Sequence, residues 1–129
     1  MKTYATAVMS AAILSMGLAE TAGAAPMAHG MNPCVVAIQT VFAQDGAAVV
    51  NRFVAISYRE SRHQAGAVNR RTVRDRRGRV YGRATGCLQV LPLVARNVGV
   101  TGDLRNPMVN AQAARRLWLR MGWSPWRVR

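Results

Sequence analysis

Apolar residues return every third or fourth position along much of this chain, and one arginine-rich stretch in the middle breaks that rhythm. A repeat of 3.6 puts apolar side chains on one helix face, so the chain must pack amphipathic helices against one another. In CVVAIQTVFAQDG, residues 34–46, Val35, Ile38, Val41 and Phe42 mark such a face, and Gly46 stops it. In AAVVNRFVAISYRESRH, residues 47–63, Val49, Phe53, Ile56 and Ser57 mark a second face, and Glu60 continues it at the C-terminal end. GCLQVLPLVARNVG reads as a turn leading into a short helix, with Pro92 near its first turn. Asn106-Pro107 opens the last long helix, the asparagine as N-cap and the proline at the first helical position. Met108, Ala111, Ala114, Leu117 and Met121 are its apolar positions, and Gly122 ends it.

The stretch that breaks the rhythm is RRTVRDRRGRVYGRAT, residues 70–85. Val73, Val80 and Tyr81 flank Asp75-Arg76-Arg77-Gly78, the pattern of a small β-hairpin turning at the aspartate; the other reading is an unstructured basic loop. There is no repeat and no linker. The expected fold is one mainly α (α+β) domain over residues 34–129, with a small hairpin near residues 70–85.

Ahead of it, MKTYATAVMSAAILSMGLAETAGAAP joins basic Lys2 to a run of small and apolar residues and then Ala22-Gly23-Ala24-Ala25. That pattern predicts a signal peptide over residues 1–25, cut near Ala24 or Ala25. The competing reading is a membrane anchor, but Glu20 and the small residues leave its apolar core short for a bilayer. Residues 26–33 read as a flexible lead. The expectation is therefore a secreted, periplasmic or wall-associated protein with no transmembrane anchor in the mature chain. Lys2 and Glu20 leave together, so the mature net charge stays at +13.

A charge of that size favours anionic partners: nucleic acid, lipid headgroups or acidic cell-wall polymers. Export argues against a specific nucleic acid. Lys2 is the only lysine among the 18 basic residues, a bias that a GC-rich genome also produces. Cys34 and Cys87 either form one disulfide, as an exported pair can, or remain buried thiols. Only His29 and His63 could join them in a zinc site, and nothing has ligand spacing, so no metal or cofactor is expected.

The acidic residues number five, few enough to take one by one. Glu20 belongs to the signal. Asp45 precedes Gly46 and the second helix, where it can cap or meet the positive end of the dipole. Asp75 and Asp103 sit in turn sequences. Glu60 has no basic residue four positions away to bind it. The negative end of its helix and an apolar setting favour its neutral acid, whereas Arg59 and Arg62, if they approach, favour the carboxylate. A carboxylic acid kept neutral near pH 7 is a general acid; an exposed helix-end glutamate is merely solvated.

Glu60-Ser61, Ala67-Val68-Asn69, Gly86-Cys87-Leu88-Gln89-Val90-Leu91-Pro92, and Asn106-Pro107 with Asn110 follow one another in an order that resembles the lysozyme-like superfamily. Within it the chain is most similar to the lytic transglycosylases, of the soluble-type domain in its small actinobacterial and phage forms. The resemblance covers roughly residues 34–126. It implies a lysozyme-like, mostly helical fold with a groove for a glycan strand. It implies Glu60 as the catalytic acid, Gln89 and Leu91 lining the sugar site, and Asn69 at the polar position after the acid. Turn hydrogen bonding for Asn69 and Gln89, and core packing for Leu91, are the plain alternatives. G-W-S-P-W resembles the lysozyme tail that sets a tryptophan against the acid, and Trp126 holds that position; a core or surface-anchoring tryptophan is the alternative.

The departures matter too. Chicken-type lysozymes carry a second carboxylate two residues before the glycine of the loop, where this chain has Ala84. The only candidate for a second carboxylate is Asp75, at the expected hairpin tip. A double displacement needs two carboxyls about 5 Å apart, whereas a transglycosylase needs one. The family's A-Y-N motif near the C-terminus is absent, which leaves its tyrosine contact unfilled, or filled by Tyr81 or a tail tryptophan. The expectation is a transglycosylase acting on the MurNAc–GlcNAc β-1,4 bond of peptidoglycan glycan strands. A hydrolytic lysozyme and a non-catalytic cationic wall- or membrane-binding protein on the same scaffold are the alternatives.

Overall fold

Asparagine-proline pairs start two of the four helices in the computed structural model, which describes residues 31–127. The expected signal peptide and the lead up to residue 30 lie outside the described residues. The rest of the expected lead is helix start rather than linker. Asn32 caps α1 (Pro33–Val41), its side chain accepting the N–H of Cys34 at 2.8 Å. The same device starts α4 (Pro107–Met121), where the Asn106 side chain accepts from Met108 and Val109.

The first helix is shorter than its periodicity suggests. It ends at Val41, and a one-turn 3-10 helix, Ala43–Asp45, carries the chain to Gly46. Gly46 at φ 94° redirects the backbone into α2 (Ala47–Ser61) without a side-chain cap. Asp45 therefore does not cap α2. Its carboxylate receives two bonds from Arg115 of α4, at 2.7 and 2.9 Å, because the 3-10 turn aims it across the helix pair.

The basic stretch is a hairpin of β1 (Val68–Arg74) and β2 (Val80–Thr85), antiparallel and alone in its sheet. Asp75 makes its tip, one carboxylate oxygen accepting the N–H groups of Arg77 and Arg79 at 2.9 Å each. The pairing is irregular: Val68 faces Thr85 and Thr72 faces Arg83, so residues 69–71 bulge opposite Ala84. Beyond it α3 (Pro92–Asn97) packs on β2 and leads to α4. With 53% helix against 14% strand among the described residues, the fold is mainly helical α+β.

The core lies among α1, α2 and α4. Cys34, Ala37, Ile38 and Phe42 meet Phe53 and Ile56 on one side and Ala111, Ala113, Ala114 and Leu117 on the other. Phe42 stacks on Phe53 at 4.1 Å, and Trp118, Trp123 and Trp126 surround Phe53 at 4.9–6.0 Å. Two expected apolar positions of α4 are exposed, Met108 at 38% and Met121 at 58%. Asn110, Ala113, Ala114 and Leu117 form the packed row. Met108 lies off it, and Met121 is the last helical residue before the chain turns at Gly122. Cys34 and Cys87 are joined as a disulfide between the start of α1 and the loop after β2.

Candidate functional site

Glu60 is the penultimate residue of α2, and the helix stops there for a local reason. Arg62 and His63 both take left-handed conformations, at φ 55° and 58°. Their N–H groups turn back onto the carbonyls of Tyr58 and Ser57. His63 is held further by its ring nitrogen, 3.0 Å from the Ser57 hydroxyl, and by its carbonyl, which accepts from the Asn32 side chain. Ser61, next to Glu60, is buried, with its hydroxyl 2.8 Å from the Cys87 carbonyl and 3.1 Å from that of Ser57. The end of α2 is thus tied to the loop that carries Gln89.

That loop is built around Asn110, a fully buried asparagine of α4. Its side-chain oxygen accepts the Leu88 N–H at 2.9 Å, and its amide nitrogen donates to the carbonyls of Thr85 and Leu104 at 2.8 and 2.9 Å. The close fit leaves no room for a side chain at residue 86. Gly86 stands at φ 80°, and a Cβ there would run into the Leu104 carbonyl and the Asn110 amide. Thr85 and Val90 pair across the loop through two backbone hydrogen bonds. Gln89, at φ 51°, donates its side-chain amide to the carbonyls of Ala67 and Gly86. Its side-chain oxygen takes part in neither bond.

Trp126 closes this region from the other side. Its ring lies edge-on to Phe53, its indole nitrogen donates to the Leu88 carbonyl at 3.0 Å, and its own carbonyl accepts from Arg59 at 2.6 Å. The same Arg59 nitrogen lies 2.7 Å from Oε1 of Glu60. The acid's neighbour is therefore Arg59, with the Trp126 indole engaged in the core. The Glu60 side chain is 29% exposed. Arg62, the other basic neighbour, turns away and sits over the Tyr58 ring at 4.7 Å.

The residues assigned by resemblance fall into two groups. Gln89, Leu91 and Trp126 line one recess of about 250 Å³, together with Val94, Leu117 and Met121. Asn69, Tyr81 and Glu60 itself do not line it. Asn69 is exposed and bonds its side-chain oxygen to the N–H of Arg71, which shapes the bulge of β1. Tyr81 is half-buried on β2. Asp75 is engaged at the hairpin tip. Arg105 binds Asp103 through its side chain and backbone and holds that carboxyl below its ordinary range. Asp45 is the partner of Arg115.

Sequence reasoning left Arg59 conditional and gave Ser61 and Asn110 no task. Adjacent helix residues do not ordinarily face each other, so Arg59 carried no signal. A lone asparagine on the alanine-rich face of α4 was the visible sign of Asn110, because a polar residue on a packed row needs partners. Among the described residues no group of three His, Cys, Asp or Glu side chains could hold a metal ion, and no helix is long and apolar enough to cross a membrane. Comparisons of the chain with protein-family models, with curated proteins and with solved structures find no match.

Proposed function

We propose that this chain is an exported lytic transglycosylase that cleaves the MurNAc–GlcNAc β-1,4 bond of peptidoglycan, with Glu60 as its acid and base. One observation carries the reading. Of the four described carboxylates, Asp45, Asp103 and Glu60 each pair with an arginine and Asp75 holds a turn, but Glu60 alone ends a helix tethered to the Gln89 loop. A recess lined by Gln89, Leu91 and Trp126 opens on that loop.

The chemistry needs one carboxyl. Arg59 occupies Oε1 of Glu60, which leaves Oε2 for the substrate. The protonated acid gives its proton to the glycosidic oxygen as the C1–oxygen bond breaks. The carboxylate then takes the proton of the muramyl 6-hydroxyl as that oxygen attacks C1. The bond formed closes a 1,6-anhydro ring, Glu60 regains its proton, and no water is consumed. Ala84 and the engaged Asp75 speak against the two-carboxyl hydrolytic route.

Digestion of purified peptidoglycan by wild type and by Glu60→Gln, with product masses read, tests the proposal. The expected result is anhydro-muramyl products from wild type and loss of activity in a variant that keeps its fold and its melting curve. Reducing ends instead would make the enzyme a lysozyme. Equal activity of the two proteins, or none from either on several wall types, would remove Glu60 from the chemistry.

A further inference from the structure

The hairpin carries seven arginines, Arg70, Arg71, Arg74, Arg76, Arg77, Arg79 and Arg83, against one acid. That acid, Asp75, is engaged by backbone N–H groups. The ion pairs among the described residues are those of Arg59, Arg105 and Arg115, so no hairpin guanidinium is neutralised there. All seven arginines are exposed. So are three valines among them, Val68, Val73 and Val80, at 37–45%. On β1 only Thr72 is partly covered, so the whole strand faces outward.

We propose that this hairpin is a membrane-docking surface that seats the protein on an anionic phospholipid bilayer. The charge is the first reason. A guanidinium fork matches phosphate oxygens two at a time, and unpaired arginines lose no partner when they bind a headgroup. The valines decide between a bilayer and a soluble polyanion. Exposed β-branched side chains gain nothing from a hydrated phosphate chain, but they can enter the headgroup–acyl boundary while flanking arginines reach up to the phosphates. The contact is peripheral and salt-sensitive. It is separate from the glycan chemistry proposed above and would stand if that reading failed.

The test is co-sedimentation of the full chain with phosphatidylcholine vesicles, with and without phosphatidylglycerol, across a salt series. Two variants accompany it: Arg74, Arg76, Arg77 and Arg79 all changed to Gln, and the pair Val73→Ser with Val80→Ser. Asp75 is left in place to keep the turn, and circular dichroism checks the fold. Each arginine near an anionic surface contributes about a fivefold factor, so the four-Gln variant should bind nearly three orders of magnitude more weakly, about 600-fold. The valine pair should weaken binding at every salt concentration. Binding that both variants retain in full would overturn the proposal. So would arginine-dependent capture of soluble polyphosphate with vesicle binding indifferent to the valines, which would make the hairpin a general polyanion site.

Discussion

Asn110 shows how much of a site can depend on a residue with no chemistry of its own. It supplies two hydrogen bonds to the loop after β2, at Thr85 and Leu88, and a third to Leu104 in the connection between α3 and α4. Asn110→Ala would leave one N–H and two carbonyls short of partners in a buried setting. At roughly 1 kcal/mol or more for each unsatisfied group, the loss of stability should be about 3 kcal/mol, read as a shift in the urea midpoint. A variant that melts with wild type would mean that water replaces the amide. The individual residues were unevenly legible. Elimination singles out Glu60, because the other described carboxylates have turn sequences or a neighbouring glycine, but only the resemblance gives it the acid's place. Asn69 takes its polar position after the acid from a motif, with turn hydrogen bonding as the alternative, and its polar group serves the bulge of its own strand. A motif conveys order along the chain, and it does not say which side chains the backbone will consume locally.

At the scale of elements, the hairpin and the four helices follow from periodicity and turn chemistry, and the misreadings came at their ends. The pair Asn-Pro marks the start of α4, whereas at residues 32–33 the same pair follows MAHGM, which reads as a lead, and no periodic residues precede the cap. Asp45 stands beside a helix start in sequence, yet it bonds a residue 70 positions away. Tertiary partners of this kind leave no local trace. The two caps also differ in what they hold, and that makes them testable against each other. Asn106 bonds only its own first turn, so Asn106→Ala should cost about 1 kcal/mol. Asn32 in addition donates to the carbonyl of His63, just past the end of α2. Asn32→Ala should therefore cost about 2 kcal/mol, the cap and one further hydrogen bond together. Equal urea midpoints for the two variants would show that the bond to His63 adds nothing.

The whole molecule is held across its sequence by one covalent link, and that link passes through the candidate site. Cys34 and Cys87 are 53 residues apart, and the loop they close contains α1, α2 and both strands. The sequence left open whether these cysteines pair, since pairing depends on how α1 approaches the loop after β2, which periodicity does not encode. Closing a loop of that length removes unfolded-state entropy worth about 4 kcal/mol in the chain-entropy model. A domain of this size has a modest core, so the loss would be a large share of its stability. Reduction under native conditions should lower the urea midpoint accordingly. It should also act on the site before the fold fails. The carbonyl of Cys87 is the one that Ser61 contacts, and the next residue, Leu88, is held by both Asn110 and Trp126. Freed from α1, the loop keeps those bonds but loses its covalent anchor, so the tether between Glu60 and Gln89 should loosen at concentrations of reductant that leave the helices intact. The expected signature is peptidoglycan cleavage that falls with added thiol while far-ultraviolet circular dichroism stays constant, and that returns on reoxidation. Cleavage lost only in step with helix content would assign the disulfide to global stability alone.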